Sequence, residues 1–265
     1  MSIPKSFSRI CKPLGPSCSL PKQSLLQVAY RLHNSSAHQE TAEAYARDPT
    51  PIERATLAFS SAFTAIADPT RQDAVATLAE TTSTYTLPLL RSKMLSDPTG
   101  RRILRTKPLV SSKTLDLPHL RSLPPGTFGR EYMNFLDGQG VSPDTREPIR
   151  YIQNPELSYI LTRYRQSHDF YHTLANLGVS VPEELAIKYF EFVQTGLPMT
   201  LLSSLVGPLR LTKEERRVLF DVYVPWAVQC GGKAKFLMNV YWEEWMDEKV
   251  DVVRKELGII PAPKV

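Results

Sequence analysis

The chain has 265 residues, 42% of them hydrophobic, and a formal net charge of +5, enough apolar material for one substantial domain or two small ones. The charge sits at one end: residues 1–39 hold Lys5, Arg9, Lys12, Lys22 and Arg31, eight serines, and no acid before Glu40. The remainder is close to neutral, which argues against a nucleic-acid partner, whose phosphates require clustered cations.

Residues 1–39 read as a mitochondrial presequence, followed by one domain over 40–265. Ile3, Phe7 and Ile10 share one helical face, as do Leu25, Val28 and Leu32. An acid-free amphipathic stretch of this kind lacks the continuous apolar segment of a secretory signal. A disordered basic tail is the alternative. Cys11 and Cys18 fall in this segment and leave only Cys230 in the domain, so neither a disulfide framework nor a thiolate metal site is available there.

From residue 40 onward the pattern predicts an all-α fold, a single helical domain with no hairpin chemistry and no internal repeat. Helices are expected over Ile52–Ala67 and Arg71–Thr82, separated by the cap-and-proline punctuation Asp68-Pro69-Thr70. The most apolar run, Ala55 to Ala67, is about thirteen residues and is interrupted by Thr56, Ser60, Ser61 and Thr64. A membrane span needs roughly 20 residues. This helix is therefore expected in the core or against a membrane surface, and membrane contact would be peripheral. Further helices are expected over Tyr85–Leu95, after Asp97-Pro98, and over Thr127–Leu136, with an ordered proline-rich loop at 106–126 and turns at 137–148. Two long helices, Leu211–Gln229 and Lys233–Lys255, are expected near the end. The second would turn Phe236, Leu237, Val240, Tyr241 and Trp245 inward, and Trp242 and Trp245 are read as core. The basic group Arg101, Arg102, Arg105 and Lys107 is read as a solvated face, with an anion site as the alternative.

The chemistry concentrates in His168-Asp169-Phe170-Tyr171-His172, followed after eleven residues by Glu184. Asn154 is a good N-cap, Pro155 suits the first helical position, and Leu157, Ile160, Leu161, Tyr164, Tyr171, Leu174 and Ala175 follow a helical period. His168 and His172 stand four apart and project from one inward face of that helix, with Asp169 at its edge. The helix is expected to stop near Gly178. Ser180 and Glu183 form a capping box for the next helix, which brings Glu184 alongside. Two imidazoles and two carboxylates from adjacent helices make a four-ligand site of His168, Asp169, His172 and Glu184. Zinc is the first choice of divalent metal for such a set, and iron or manganese also suit it. Structural readings stand beside this one: an inward histidine satisfied in the core, and a first-turn glutamate serving the helix dipole. Glu191, two turns beyond Glu184, is a candidate general acid, with a salt bridge as the alternative.

This spacing resembles the signature of the coenzyme Q (ubiquinone) biosynthesis proteins, specifically the fourth member of the mitochondrial pathway. The resemblance runs from about Pro51 to Ile260. It includes Ala67-Asp68-Pro69-Thr70-Arg71, Glu80-Thr81-Thr82, Asp97-Pro98-Thr99-Gly100-Arg101, Arg163-Tyr164-Arg165, Lys188-Tyr189-Phe190-Glu191, Gln194-Thr195-Gly196-Leu197-Pro198-Met199 and Val240-Tyr241-Trp242-Glu243. All four motif positions are intact.

The resemblance implies a protein on the matrix side of the mitochondrial inner membrane, held peripherally within a multi-subunit complex of ubiquinone-biosynthesis enzymes. It implies metal-dependent, oxidative C1 decarboxylation of a polyprenylated 4-hydroxy-3-methoxybenzoate, a lyase activity, together with organisation of the complex. The partners would be the other enzymes and polyprenylated quinone precursors, and an exposed hydrophobic groove would also favour homo-oligomers. The alternative is a non-catalytic lipid-binding scaffold with a structural metal. A hydrolase built on the His-Asp doublet is weaker, because only His119 beyond residue 40 could add a ligand. Nucleotide loops and the GxSxG elbow have no support in the sequence.

Overall fold

A computed structural model describes residues 48–68 and 71–265; the expected presequence lies outside them. Among the described residues the fold is all-α, a single helical domain whose one β-type contact is an isolated bridge between Thr127 and Lys249. The helices are α1 (Pro51–Ala67), α2 (Gln72–Thr82), α3 (Thr86–Leu95), α4 (Pro98–Thr106), α5 (Leu117–Ser122), α6 (Phe128–Gln139), α7 (Pro155–Ala175), α8 (Val181–Thr195), α9 (Pro198–Val206), α10 (Lys213–Val218), α11 (Val224–Lys233) and α12 (Val250–Leu257). Their starts follow the sequence closely. Thr50 and Glu53 form a capping box on α1, Asp97 accepts from the amides of Thr99 and Gly100 on α4, and Asn154 accepts from those of Glu156 and Leu157 on α7.

Four expectations are corrected. The loop at 106–126 contains α5, capped by Asp116 with Pro118 in its first turn. Helix α7 stops at Asn176, in the left-handed region at φ 55°, rather than at Gly178; asparagine tolerates that conformation. Gly178 instead lets the chain pass over the capping Glu183, where a Cβ would lie 3.0 Å from a carboxylate oxygen. The expected Leu211–Gln229 helix carries a π-helical stretch at Leu219–Tyr223, because Pro225 has no amide to donate and the Val224 amide reaches back to Leu219.

The fourth correction is the largest. Lys233–Lys255 is not one helix: 3₁₀ turns at Leu237–Asn239 and Trp242–Glu244 precede the short α12. Side chains from elsewhere claim this backbone, since Gln194 accepts from the Leu237 amide and Arg163 donates to the Val240 carbonyl. Tertiary bonds thus override helical periodicity. Leu237, Val240 and Trp242 are nevertheless buried, and Trp245 packs against the core.

Two apolar clusters meet on α7. Its first half (Tyr159, Ile160, Leu161, Tyr164) packs with α2, α3 and α4, and its second half (Phe170, Tyr171, Leu174, Ala175) with α6, α8, α11 and α12. Every residue from Ser167 to Ala175 is buried. A helix covered on all sides must pair its polar groups internally. Ser167 accepts from the Trp242 indole at 3.1 Å, and Arg163, with no exposed surface, forks onto Glu243 at 2.6 and 3.0 Å.

Candidate metal centre

His168 and His172 lie where the two clusters meet, and α8 brings Glu184 to them. The α7–α8 turn is short because Glu183 accepts from the amides of Gly178 and Ser180, closing the capping box expected there. The two imidazole Nε2 atoms are 3.2 Å apart. Glu184 Oε1 is 3.4 Å from His172 Nε2, and Oε2 is 3.6 Å from His168 Nε2. The edge of a tetrahedron around an ion with metal–nitrogen bonds of about 2.0–2.1 Å is about 3.4 Å, so these separations fit a shared divalent ion.

Hydrogen-bond roles make the same case. His172 Nδ1 faces the Leu177 carbonyl at 3.3 Å, and a carbonyl can only accept. His168 Nδ1 faces Glu191 Oε1 at 2.7 Å. Burial opposes ionisation of Glu191, but Lys188 and His168 outweigh it and hold the carboxyl down to about 2. With Nδ1–H on both rings, the two Nε2 atoms are left as acceptors facing each other and a carboxylate; Lys188 Nζ also lies 3.3 Å from His168 Nδ1. The three donors lie close enough to share one cation. Outer partners that fix the tautomer in this way are characteristic of metal-binding histidines. With no ion bound, a proton takes that role: burial and Lys188 oppose a charged His168 ring, yet Glu191 and Glu184 prevail and raise its pKa. Glu184 resists its own burial through bonds to the two histidines, which keep its carboxyl far below the usual range.

Of the four expected ligands, His168, His172 and Glu184 are brought together and Asp169 is not. One position along the helix from His168, Asp169 points aside and binds Arg146 at 2.6 Å. Glu191 serves as a hydrogen-bond partner, since a carboxyl held ionised has no proton to donate; it also takes Lys188 Nζ at 2.8 Å and the Tyr164 hydroxyl at 2.7 Å. His119 lies near the surface against Asp247, so the hydrolase reading has no further histidine at the site. Arg101, Arg102, Arg105 and Lys107 are exposed, with Arg102 over the Tyr241 ring.

A cavity of about 470 Å³ opens from the cluster. Its lining brings His168, Glu184, Lys188, Arg146 and Arg165 together with apolar residues of α1, α2 and α9. Arg165 and Lys188 were open to discovery by spacing, standing one helical turn before His168 and one after Glu184. Arg146 enters from an irregular segment and left no sequence signal.

Residues 46–263 match the family described as coenzyme Q (ubiquinone) biosynthesis protein Coq4. The chain belongs to the Coq4 family. It is 54% identical over 213 residues to a mitochondrial ubiquinone biosynthesis protein of Laccaria bicolor, covering 80% of this chain and 72% of that one. It is 46% identical over 215 residues to a mitochondrial homologue of Mus musculus, covering 81% of each. The Coq4 fold is also that of a crystal structure from Nostoc punctiforme assigned to ubiquinone biosynthesis, with a TM-score of 0.63 over 76% of this chain and 96% of that one. At 19% identity that likeness concerns the fold alone. Family membership places the chain in ubiquinone biosynthesis, as the sequence resemblance implied.

Proposed function

We propose that the protein removes the C1 carboxylate of a polyprenylated 4-hydroxy-3-methoxybenzoate at a divalent metal, zinc being the favoured ion. The observation that carries this reading is the joining of the three-donor cluster to a cavity lined by both cationic and apolar side chains. His168, His172 and Glu184 would hold the ion and leave one coordination position open, the pattern of catalytic rather than structural sites. Asp169, the fourth expected ligand, contributes here by holding Arg146 at the cavity wall. A bound divalent ion would supply Lewis acidity toward a carboxylate or phenolate oxygen.

The chain's own residues then bind, orient and exclude water. Glu191 and the Leu177 carbonyl fix the two imidazole tautomers. Arg146, Arg165 and Lys188 draw an anionic head group inward, while Ala62, Val75, Leu78, Met199, Leu202 and Val206 receive the isoprenoid tail and keep water from it. Loss of carbon dioxide leaves the bond's electron pair on the ring carbon, where a proton takes its place. In the oxidative version, one oxygen atom of dioxygen becomes the ring hydroxyl and the other leaves as water, with two electrons from an external reductant.

The same reading places the protein peripherally on the matrix face of the mitochondrial inner membrane. No helix of the described residues is long and apolar enough to cross a membrane. Helix α1 instead exposes Ile52, Phe59, Phe63 and Ile66 at helical spacing, and Arg210 ties the neighbouring segment, which exposes Leu205 and Leu209, to the Ile66 carbonyl. Ile66 and Arg210 also line the cavity, so a tail embedded in lipid could enter without crossing water. A second reading, a scaffold that binds the lipid intermediate and its partner enzymes, draws on exposed Tyr85 and Leu89 on the surface nearby.

Carbon dioxide release from the prenylated substrate, before and after chelation and after reloading with zinc, tests the proposal. Release that disappears and returns with the metal, at unchanged helicity, supports it. Release indifferent to chelation contradicts the metal's role, and none from fully loaded protein moves the conclusion to the scaffold.

A further inference from the structure

The charges around the inner cavity do not balance. Arg146 is matched by Asp169 at 2.6 Å, and Lys188 by Glu191 at 2.8 Å. Arg210 lies at the outer mouth and donates to the Ile66 carbonyl. Glu184, the one acid in the wall, faces the two histidines. Arg165 also lines the cavity, half-buried, and has neither a hydrogen bond nor an ion pair with any described residue. Two acids act on it only through space: Glu80, which accepts from the backbone amides of Arg150 and Tyr151 at 2.7 and 2.6 Å, and Glu147, which pairs with Arg150 at 2.9 Å. A guanidinium removed from bulk water is stable there only with an anion beside it.

We propose that Arg165 is the anchor for the carboxylate of the substrate: a site for one aryl carboxylate, beside the metal centre and at the head of the apolar cavity. The position follows from helix geometry. Arg165 precedes His168 by three residues on α7, so both side chains rise from one face. A carboxylate held by the planar guanidinium fork lies next to the cluster with its ring pointing toward the apolar wall. One unmatched cation suits a monoanion better than a phosphate monoester. This assignment rests on the function proposed above and adds the residue that distinguishes substrate from product. Once the carboxylate is lost, Arg165 has no acid in direct contact, and the product is held only by its tail and phenol.

The test compares three ligands on the zinc-loaded full chain: a farnesylated 4-hydroxybenzoate, the matching farnesyl phenol without its carboxylate, and farnesyl monophosphate. Affinities come from calorimetry in detergent, with metal content and helicity checked for each protein. Wild type is expected to prefer the carboxylate to the phenol by roughly ten- to hundred-fold, the range of a charge-assisted bond. Arg165→Gln should abolish that preference, leaving phenol binding and zinc content unchanged, and Arg165→Lys should restore part of it. A preference that survives in Arg165→Gln with full zinc overturns the anchor, as does equal binding of carboxylate and phenol by wild type. Phosphate binding that exceeds carboxylate binding and is lost in Arg165→Gln overturns the carboxylate assignment. If zinc-loaded wild type binds none of the three, the cavity is not the substrate site, and the function proposed above fails together with the anchor.

Discussion

Glu191 Oε1 lies 2.7 Å from His168 Nδ1 at a fully buried position on α8, two turns beyond Glu184. One helix thus supplies both a carboxylate to the Nε2 side of the two imidazoles and a second carboxylate to the back of one ring. Replacing Glu191 with Gln removes the charge while keeping the shape. Metal affinity is expected to fall ten- to hundred-fold, the usual cost of losing such an outer partner, with little change in helicity. Competition with a chromogenic chelator measures this, and unchanged affinity would show that Glu191 is only structural.

The Arg163–Glu243 pair joins the core of α7 to the irregular segment before α12, with both terminal guanidinium nitrogens engaged. Arg163→Met leaves Glu243 without its partner in a site only 18% exposed. Breaking a buried pair from one side costs about 3–5 kcal/mol, so the urea midpoint should fall sharply. The doubly substituted Arg163→Met, Glu243→Gln protein should recover much of the loss.

Helix α1 buries only Ser61 among its seventeen residues. Phe59→Glu with Phe63→Glu changes two side chains that are 77% and 70% exposed, so thermal stability should scarcely move. Sedimentation with anionic phospholipid vesicles should drop several-fold, because about 25 cal/mol per Å² of apolar contact is lost. Equal sedimentation would remove α1 as the lipid-facing element.

Burial raises the Glu80 pKa above its ordinary 4.5 against the two amides bonded to it. The native protein therefore holds a proton in a range where the unfolded chain has lost it, and stability falls as pH rises through that window. Glu80→Gln keeps the acceptor oxygen and stays neutral. The variant should gain on wild type as pH rises above 4.5 in urea titrations. A gap that does not change with pH would contradict the assignment.

Local chemistry explains why some of this was legible in the sequence. Asn154-Pro155, Ser180 with Glu183, and the four-residue spacing of His168 and His172 act within one or two turns, so the helices and the meeting of His168, His172 and Glu184 follow from them. The Asp169–Arg146 pair was not legible, because Arg146 arrives from an irregular segment that no periodicity describes. The broken helix after Lys233 failed for a related reason: Arg163 and Gln194 draw the Val240 and Leu237 backbone into bonds that only the folded chain assembles. Arg165 was visible as a basic residue one turn from His168, but its lack of a partner emerges only when every neighbouring charge has been located.

The most direct measurement is anomalous diffraction at the zinc edge from crystals of the zinc-loaded protein. One strong peak is expected, within bonding distance of His168 Nε2, His172 Nε2 and a Glu184 oxygen, with Asp169 still on Arg146. Fully loaded crystals with no peak between those three side chains, or with the ion elsewhere, would contradict a metal centre on α7 and α8.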